Sequence, residues 1–580
     1  MAKQQWMLYT KRADFNYIAA RFNISPITAR ILINRGIKEN EIESFLHGSS
    51  LHSPWLLKGM EKAVKLTINC ILQNKKIRIV GDYDIDGICS TYILYNALSK
   101  LTLNIDYEIP DRIKDGYGIN ENIIEKAKKD NVEVIITCDN GIAAFEALEL
   151  ARKYNMTLIL TDHHEVFKNE DKTDRLPIAN VILNPKQSDC KYPFKSICGA
   201  MVAFKYMKAL YEYLEKSNSL MLKNIDSNEV IEDLTEFVAV ATIGDIMPLR
   251  DENRVVVKKG LLKLKHTKNI GLLSLLRACE LEGKCINSYH IGFIVGPCLN
   301  ASGRLASAKL ALRLLNEKEP LKAEKLAYEL KELNDERKDK TVNGTLKAIE
   351  LAEDKFLNDS VLVIYLEDCH ESIAGIIAGR LREKYQKPSI VITDTEDDLI
   401  KGSARSIENY NMFEKLCEVK ELFTKFGGHP MAAGMSLEKK NLEVLRTRLN
   451  ENANLSEEDF VEKIWIDVAL PFEFISENLI SEFEILEPFG QGNEKPIFAQ
   501  KSVEILSLDV IGKNKNAVKL SLKDERGFVI KGIIFMDGNI FKEELNNARY
   551  IDILYYPQIN EFNGRKSIQI VIKGWKNSVK

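Results

Sequence analysis

The chain has 580 residues, 45% of them hydrophobic and 28% charged, with a net charge of -3. That length suits several globular domains, each with its own core. The composition excludes a collagen-like, disordered or wholly basic nucleic-acid-coating protein, but a local basic groove can hide in a near-neutral sum. Ten cysteines lie scattered without a CxxC pair, so reduced thiols in a cytoplasmic protein are expected rather than a disulfide or zinc framework. Residues 1 to 12 hold charge and no apolar stretch, and no apolar run approaches the length of a membrane span; neither a secretory signal nor a membrane helix is expected.

Residues 1–65 read as a short helical segment, with Ser25-Pro26 as a helix start and Gly36 as a stop. Residues 66–265 alternate strand and helix. Lys76–Val80 is a short buried strand, followed by GDYDIDG and the helix ICSTYILYNALSK. VEVIIT (132–137) and TLILT (157–161) are further strands, each followed by a polar turn, and the apolar helix EDLTEFVAVATIGD runs into Asp245. Strands alternating with helices imply a parallel sheet covered on both faces.

Residues 266–355 read as a helical connector, rich in Glu, Lys, Leu and Ala toward its end. Residues 356–455 form a second, smaller α/β lobe: SVLVIYL, SIAGIIAGRLREKY, PSIVIT, GSARS and FGGHPMAAG. Residues 456–580 turn β-rich, with five or six strands in a pattern that suits a small OB-like barrel. The fold class is therefore α/β multidomain with a C-terminal β-barrel.

Three carboxylates, Asp82, Asp84 and Asp86, crowd into five residues just past a strand. They repel one another unless a cation neutralises them. The segment also mimics the start of an EF-hand loop, but Ile93 stands where such a loop needs a Glu, and a strand rather than a helix precedes it. Asp139 follows the next strand, Asp162, His163 and His164 follow the one after, and Asp245 ends a helix. Any one of these reads as a turn or cap. Together they converge on the crevice at the strand C-termini, where open α/β sheets bind ligands. Carboxylates plus imidazole without Cys favour Mn²⁺ or Mg²⁺. Two such ions fit phosphodiester hydrolysis, with Asp139 as the bridging carboxylate. Neighbouring side chains in extended backbone point opposite ways, so His163 is the candidate ligand and His164 the residue facing substrate phosphate.

In order and spacing, VGDYDIDG, TCDNG, TDHHE and IGDIMPL resemble the four motifs of the DHH phosphoesterase superfamily. The resemblance implies two lobes around a di-metal cleft. It maps Asp84, Asp86, Asp139, His163 and Asp245 onto metal positions, with His164 near the reactive phosphate and the role of Asp82 open. Val80 stands where some relatives carry a further metal-binding His. CLNASGRLASA, HESIAGIIAGRL, KGSARS and FGGHPMAAGM resemble the segments that hold substrate in the associated lobe, with Ser372 in place of a usual Gly. On this mapping Arg304, Ser403, Arg405, Gly427, Gly428 and His429 contact substrate; guanidinium forks suit phosphate, and glycines let backbone N–H groups approach an anion.

LEPFGQGNEKPIF (486–498) is similar to the RecJ exonuclease family in particular. That likeness implies a 5′-to-3′ single-stranded DNA exonuclease releasing mononucleotides in repair and recombination, monomeric, working beside single-strand binding protein and a RecQ-type helicase. In the barrel, Phe498, Phe535, Tyr555 and Tyr556 are available either to stack bases or to fill the core, beside Lys513, Lys515 and Lys519. Competing readings are a nanoRNase or cyclic-dinucleotide phosphodiesterase, whose chains lack the barrel, an inorganic pyrophosphatase, and an inactive strand-binding scaffold, which would have lost acidic ligands.

Overall fold

A computed structural model describes residues 4–112, 115–395, 399–562 and 564–578. Two compact units emerge: one holds residues 51–247 and 255–462, the other 4–50, 248–254 and 463–580.

The first unit is built on a parallel sheet. Its strands are β1 (Ile77–Val80), β2 (Ile105–Glu108), β3 (Val134–Cys138), β4 (Thr157–Thr161) and β5 (Val181–Leu183), in the order β2-β1-β3-β4-β5. β3 and most of β4 are buried and largely apolar, and β1 is buried throughout, its Arg78 paired with Asp106 and Asp130, as suits strands covered on both faces. The helix α1 (Ile85–Leu98) follows β1, and α2 (Gly199–Lys216) and α3 (Ser227–Gly244) pack against it. Val80 is a fully buried core residue packed with Ile124, Ile135 and Leu160. It therefore offers no metal ligand.

The same unit continues through a helical run that ends in α4 (Gly296–Leu305) and through the 32-residue helix α5 (Pro320–Leu351). A second sheet follows, made of β6 (Leu362–Tyr365), β7 (Ser389–Asp394), β8 (Leu399–Arg405), β9 (Phe423–His429) and β10 (Ala432–Glu438), in the order β9-β10-β8-β7-β6. Only the β6–β7 pairing is parallel. The helix α6 (Glu371–Tyr385) lies on β7 and β8.

The second unit is a closed barrel. β11 (Phe498–Ile511), β12 (Ala517–Lys523), β13 (Val529–Ile534), β14 (Tyr550–Phe562) and β15 (Arg565–Asn577) run in the order β11-β12-β13-β15-β14, and β14 pairs back onto β11. Closure removes the exposed sheet edge that would otherwise invite aggregation. Phe498, Tyr555 and Tyr556 are buried in the barrel core, where Phe483 stacks on Phe498. Of the four aromatics that could have stacked bases, only Phe535 is exposed; Lys513, Lys515 and Lys519 are exposed too.

Arg254 is the largest fully buried side chain of this unit. Its guanidinium donates to the carbonyls of Phe45 (2.7 Å), Leu486 (3.0 Å) and Ile485 (3.0 Å) and lies 4.1 Å from the Phe45 ring centre. Burial lowers its pKa to about 9 despite Glu487 nearby, so the charge is sustained chiefly by backbone dipoles. A lysine has the charge but not the fork. Arg254→Lys should therefore cost about 2–4 kcal/mol, because buried carbonyls lose their donors. An unchanged urea midpoint for the variant would contradict this.

Candidate functional site

The site gathers at the C-terminal ends of β1, β3 and β4. The turn after β1 is tight: a Cβ on Gly87 would sit 2.6 Å from the backbone nitrogen and carbonyl carbon of Asp82. Asp84 then caps α1, its Oδ1 accepting the N–H groups of Asp86 (3.0 Å) and Gly87 (3.1 Å). Asp86 sits in the first turn of α1 and accepts the Gly199 and Ala200 N–H groups at 2.6 and 2.8 Å. It is thus seated on the N-terminus of α2, where free N–H groups and the helix dipole favour an anion. Asp82 accepts from the Gly118 N–H at 3.2 Å.

Asp139 follows β3 in a left-handed conformation, φ 61°, which costs a non-glycine residue energy and persists only where the surroundings enforce it. His163, after β4, points Nε2 at three carboxylates: Asp139 Oδ1 (3.0 Å), Asp86 Oδ2 (3.5 Å) and Asp245 Oδ2 (3.7 Å). His164 turns elsewhere. Its Nδ1 lies 2.8 Å from Asp162 Oδ1 and its Nε2 3.1 Å from the Tyr117 hydroxyl, and the ring is partly open to solvent. Asp162 also accepts the N–H groups of His163, His164 and Ile142, so one carboxylate fixes the whole turn.

The electrostatics are those of an unneutralised anion cluster. Burial first, then repulsion from Asp86, Asp84, Asp82 and Asp245, raises the Asp139 pKa far above the usual carboxylate range. Burial and Asp84 do the same to Asp82. Burial, with Asp86 and Asp84, pushes Asp245 up to about 8. Burial disfavours a charged His164, yet the Asp162 hydrogen bond and the surrounding acids outweigh it and raise that ring to about 9.

Ligand atoms fall within 4.8 Å of one another in three sets: Asp86, His163 and Asp245; Asp82, Asp84 and Asp139; and Asp139, His163 and His164. Asp82 Oδ2, Asp139 Oδ1 and Asp245 Oδ2 are buried without a hydrogen-bond donor. Buried carboxylate oxygens left unpaired are expensive, and hard oxygen donors with one imidazole suit Mn²⁺ or Mg²⁺. The donor set therefore fits divalent cations, and Asp139 belongs to two of the three groups.

Beside the acids lies a cavity of about 280 Å³ whose lining includes Tyr83, Asp84, Arg112, Tyr117, Asn300 and Arg304. Arg304 donates to the Ser372 carbonyl at 2.7 Å. Its pKa falls to about 10 through burial and then through Arg112, Arg337 and Arg405, against the opposing pull of Asp84. Arg112 lies 4.8 Å from the Tyr83 ring centre.

On the second sheet, Arg405, Ala432 and His429 occupy one cross-strand row, and Ser403, Gly434 and Gly427 the next. These rows share a face. A Cβ placed on Gly427 or Gly434 would meet nothing within 4 Å, which leaves that face shallow and open. Gly428 belongs to the opposite face, where a Cβ would lie 2.6 Å from Ala433; its smallness serves packing. Helix α6 links the two regions: its Ser372 carbonyl takes Arg304, and a Cβ on Gly375 would lie 3.1 Å from Arg405 Nη2.

The sequence did not mark Arg112, Tyr117, Arg337 or Gly199 for this site. Each is an ordinary residue type in a loop or helix, and only long-range packing brings it there.

The DHH family N-terminal domain model matches residues 76–242, the DHHA1 domain model 358–454 and the RecJ OB domain model 466–574. The single-stranded-DNA-specific exonuclease RecJ of Bacillus subtilis is 35% identical over 579 residues, 99% of this chain and 71% of that protein. The protein of the same name from Escherichia coli is 32% identical over 95% of each chain. The chain belongs to the RecJ family. The Thermus thermophilus RecJ structure in complex with Mn²⁺ shares the fold, with a TM-score of 0.83 over all of this chain and 80% of that one at 24% identity. A second structure, exonuclease RecJ bound to manganese, is 28% identical with a TM-score of 0.59 over 70% of this chain and 98% of that one.

Helix α2 packs directly against Asp139. A Cβ on Gly199 would lie 2.7 Å from Asp139 Cβ and 2.9 Å from its Cα. Gly199→Ala should displace Asp139 and weaken Mn²⁺ binding, measured by calorimetry, about tenfold or more. Wild-type affinity in that variant would show that Asp139 does not need its present seat.

Proposed function

We propose that this chain is a metal-dependent 5′-to-3′ exonuclease of single-stranded DNA that releases 5′-mononucleotides in DNA repair and recombination. The observation that carries the reading is the convergence of five aspartates and His163, with unpaired buried oxygens, on one crevice beside an arginine-lined cavity. The close relatives named above are exonucleases of single-stranded DNA, and the barrel matches their OB domain. No described helix is long and apolar enough to cross a membrane. A cytoplasmic monomer, cooperating with single-strand binding protein and a RecQ-type helicase, follows from family likeness.

In this reading Asp82, Asp84, Asp86, Asp139, His163 and Asp245 hold two Mn²⁺ or Mg²⁺ ions. Bound there, such ions polarise the scissile phosphate and make a water nucleophilic near neutral pH. The protein's own groups do the rest. Arg304 and Arg405, joined by Arg112, bind phosphate oxygens at the strand's 5′ end. The shallow face bearing Ser403, Gly427 and His429 receives the terminal nucleotide. His164, oriented by Asp162 at Nδ1 and by Tyr117 at Nε2, faces the charge that develops on the phosphate.

Two tests address this. Asp139→Ala should lower hydrolysis of 5′-labelled single strands by about a thousandfold or more while strand binding largely persists, and chelation should silence the wild type until Mn²⁺ is restored. Equal wild-type rates on single and double strands would refute the specificity. Asp162→Asn should lose at least as much activity as His164→Ala, because Asp162 also seats the His163 and Ile142 N–H groups, and the double variant little more than Asp162→Asn alone; additive losses would separate their roles.

A further inference from the structure

The helical run from Ser288 to Leu305 passes through a turn, a π-helical segment at Ile291–Val295 and then α4. Tyr289, Phe293, Pro297, Asn300 and Arg304 form one accessible stripe along it, and Ser288, His290, Ile294 and Leu305 are partly exposed as well. Tyr289 and Phe293 are exposed, and Pro297, Asn300 and Arg304 are partly exposed, while Ile291, Val295, Cys298, Leu299 and Ser302 are buried. Steps of three and four residues keep side chains on one helix face.

One end of the stripe is already in the site. Arg304 and Asn300 line the cavity beside the acids, and Asn300 Oδ1 accepts the Ile85 N–H at 2.8 Å, next to Asp84. The other end carries two rings in near-parallel stacking, with centroids 5.1 Å apart and planes 27° apart. Tyr289 is 60% and Phe293 68% exposed. Large aromatic rings normally bury most of their area, and π segments, of which Ala352–Phe356 is another here, are rare and frequent at functional sites. Gly292 lies close enough to α3 that a Cβ there would sit 3.7 Å from Ile243 Cγ2, two residues before Asp245. The rings are therefore tied to the same helix end that supplies an acid to the site. Phe293 and Arg304 are eleven residues apart, about 16 Å along a helix, a distance that a single strand covers in a few nucleotides.

We infer that Tyr289 and Phe293 form a base-stacking platform for the DNA strand on the 3′ side of the bond being cut. This rests on the exonuclease reading above and assigns the strand's path as it leaves the cavity. A π-face contact accepts any base, which suits an enzyme that must advance along a strand regardless of sequence. The stripe thus grips phosphate at one end and bases at the other, and each advance re-forms the same contacts.

The test uses the full chain carrying Asp139→Asn, so that the strand stays uncut. 2-Aminopurine is placed at successive positions of a 5′-phosphorylated oligonucleotide, and its fluorescence and the Kd are measured. Quenching is expected at one or two positions a few nucleotides from the 5′ end. Tyr289→Leu with Phe293→Leu should abolish it and weaken Kd about tenfold or more, within the range of stacking on an aromatic side chain. Phe293→Trp should preserve both, which separates loss of stacking from loss of fold. Unchanged quenching and Kd in the double leucine variant would overturn the platform. Hydrolysis by the unmodified chain with Mn²⁺ is measured alongside. If that chain degrades single strands while the leucine variant binds normally, only the platform falls; if it neither degrades nor binds them, the exonuclease reading falls and the platform with it.

Discussion

The structure turns on the mutual repulsion of carboxylates forced together at the ends of three parallel strands. Asp82, Asp86 and Asp139 are buried, Asp84 and Asp245 partly so, and like charges at such separations are strongly unfavourable in a low-dielectric setting. The fold resists that repulsion with directed backbone donors. Asp86 takes two N–H groups from the start of α2, Asp84 takes two from the start of α1, and Asp82 takes one from Gly118. These bonds fix the carboxylates yet leave several oxygens unpaired, which is the condition of a site built to receive cations.

The glycines around the cluster make that geometry possible. Gly87 lets the chain fold back onto Asp82, and Gly199 lets α2 press against Asp139. Neither could carry a side chain without moving an acid. Precision here comes from rigid elements: each ligand sits at the end of a strand or helix, where the backbone is already paired, and local side-chain freedom is small.

The arginine region obeys the complementary rule. Arg304 and Arg405 come from different lobes of the first unit and meet through α6. Their mutual repulsion, with Arg112 and Arg337, depresses the Arg304 pKa along with burial. A dianionic phosphate relieves that repulsion just as divalent cations relieve the acids. The acids and the guanidinium groups thus meet in one cavity, lined by Asp82 and Asp84 on one side and by Arg112 and Arg304 on the other.

The linear sequence by itself determined the strand-helix alternation, the run of strands at the C-terminus and the acids that follow β1, β3 and α3, because period and local turn chemistry carry those signals over a few residues. It assigned His163 and His164 to opposite sides, whereas the fold holds their rings 4.4 Å apart and groups both with Asp139. It left open whether Phe498, Tyr555 and Tyr556 face solvent or core, and closure of the barrel buried all three. It gave Gly427 and Gly428 one role, whereas the sheet register puts them on opposite faces. Nor could it reveal that Gly199 abuts Asp139 or that Arg112 faces Arg304. Those contacts join residues 60 to nearly 200 positions apart, and no periodicity extends that far; only the packing of helices on the sheet decides them.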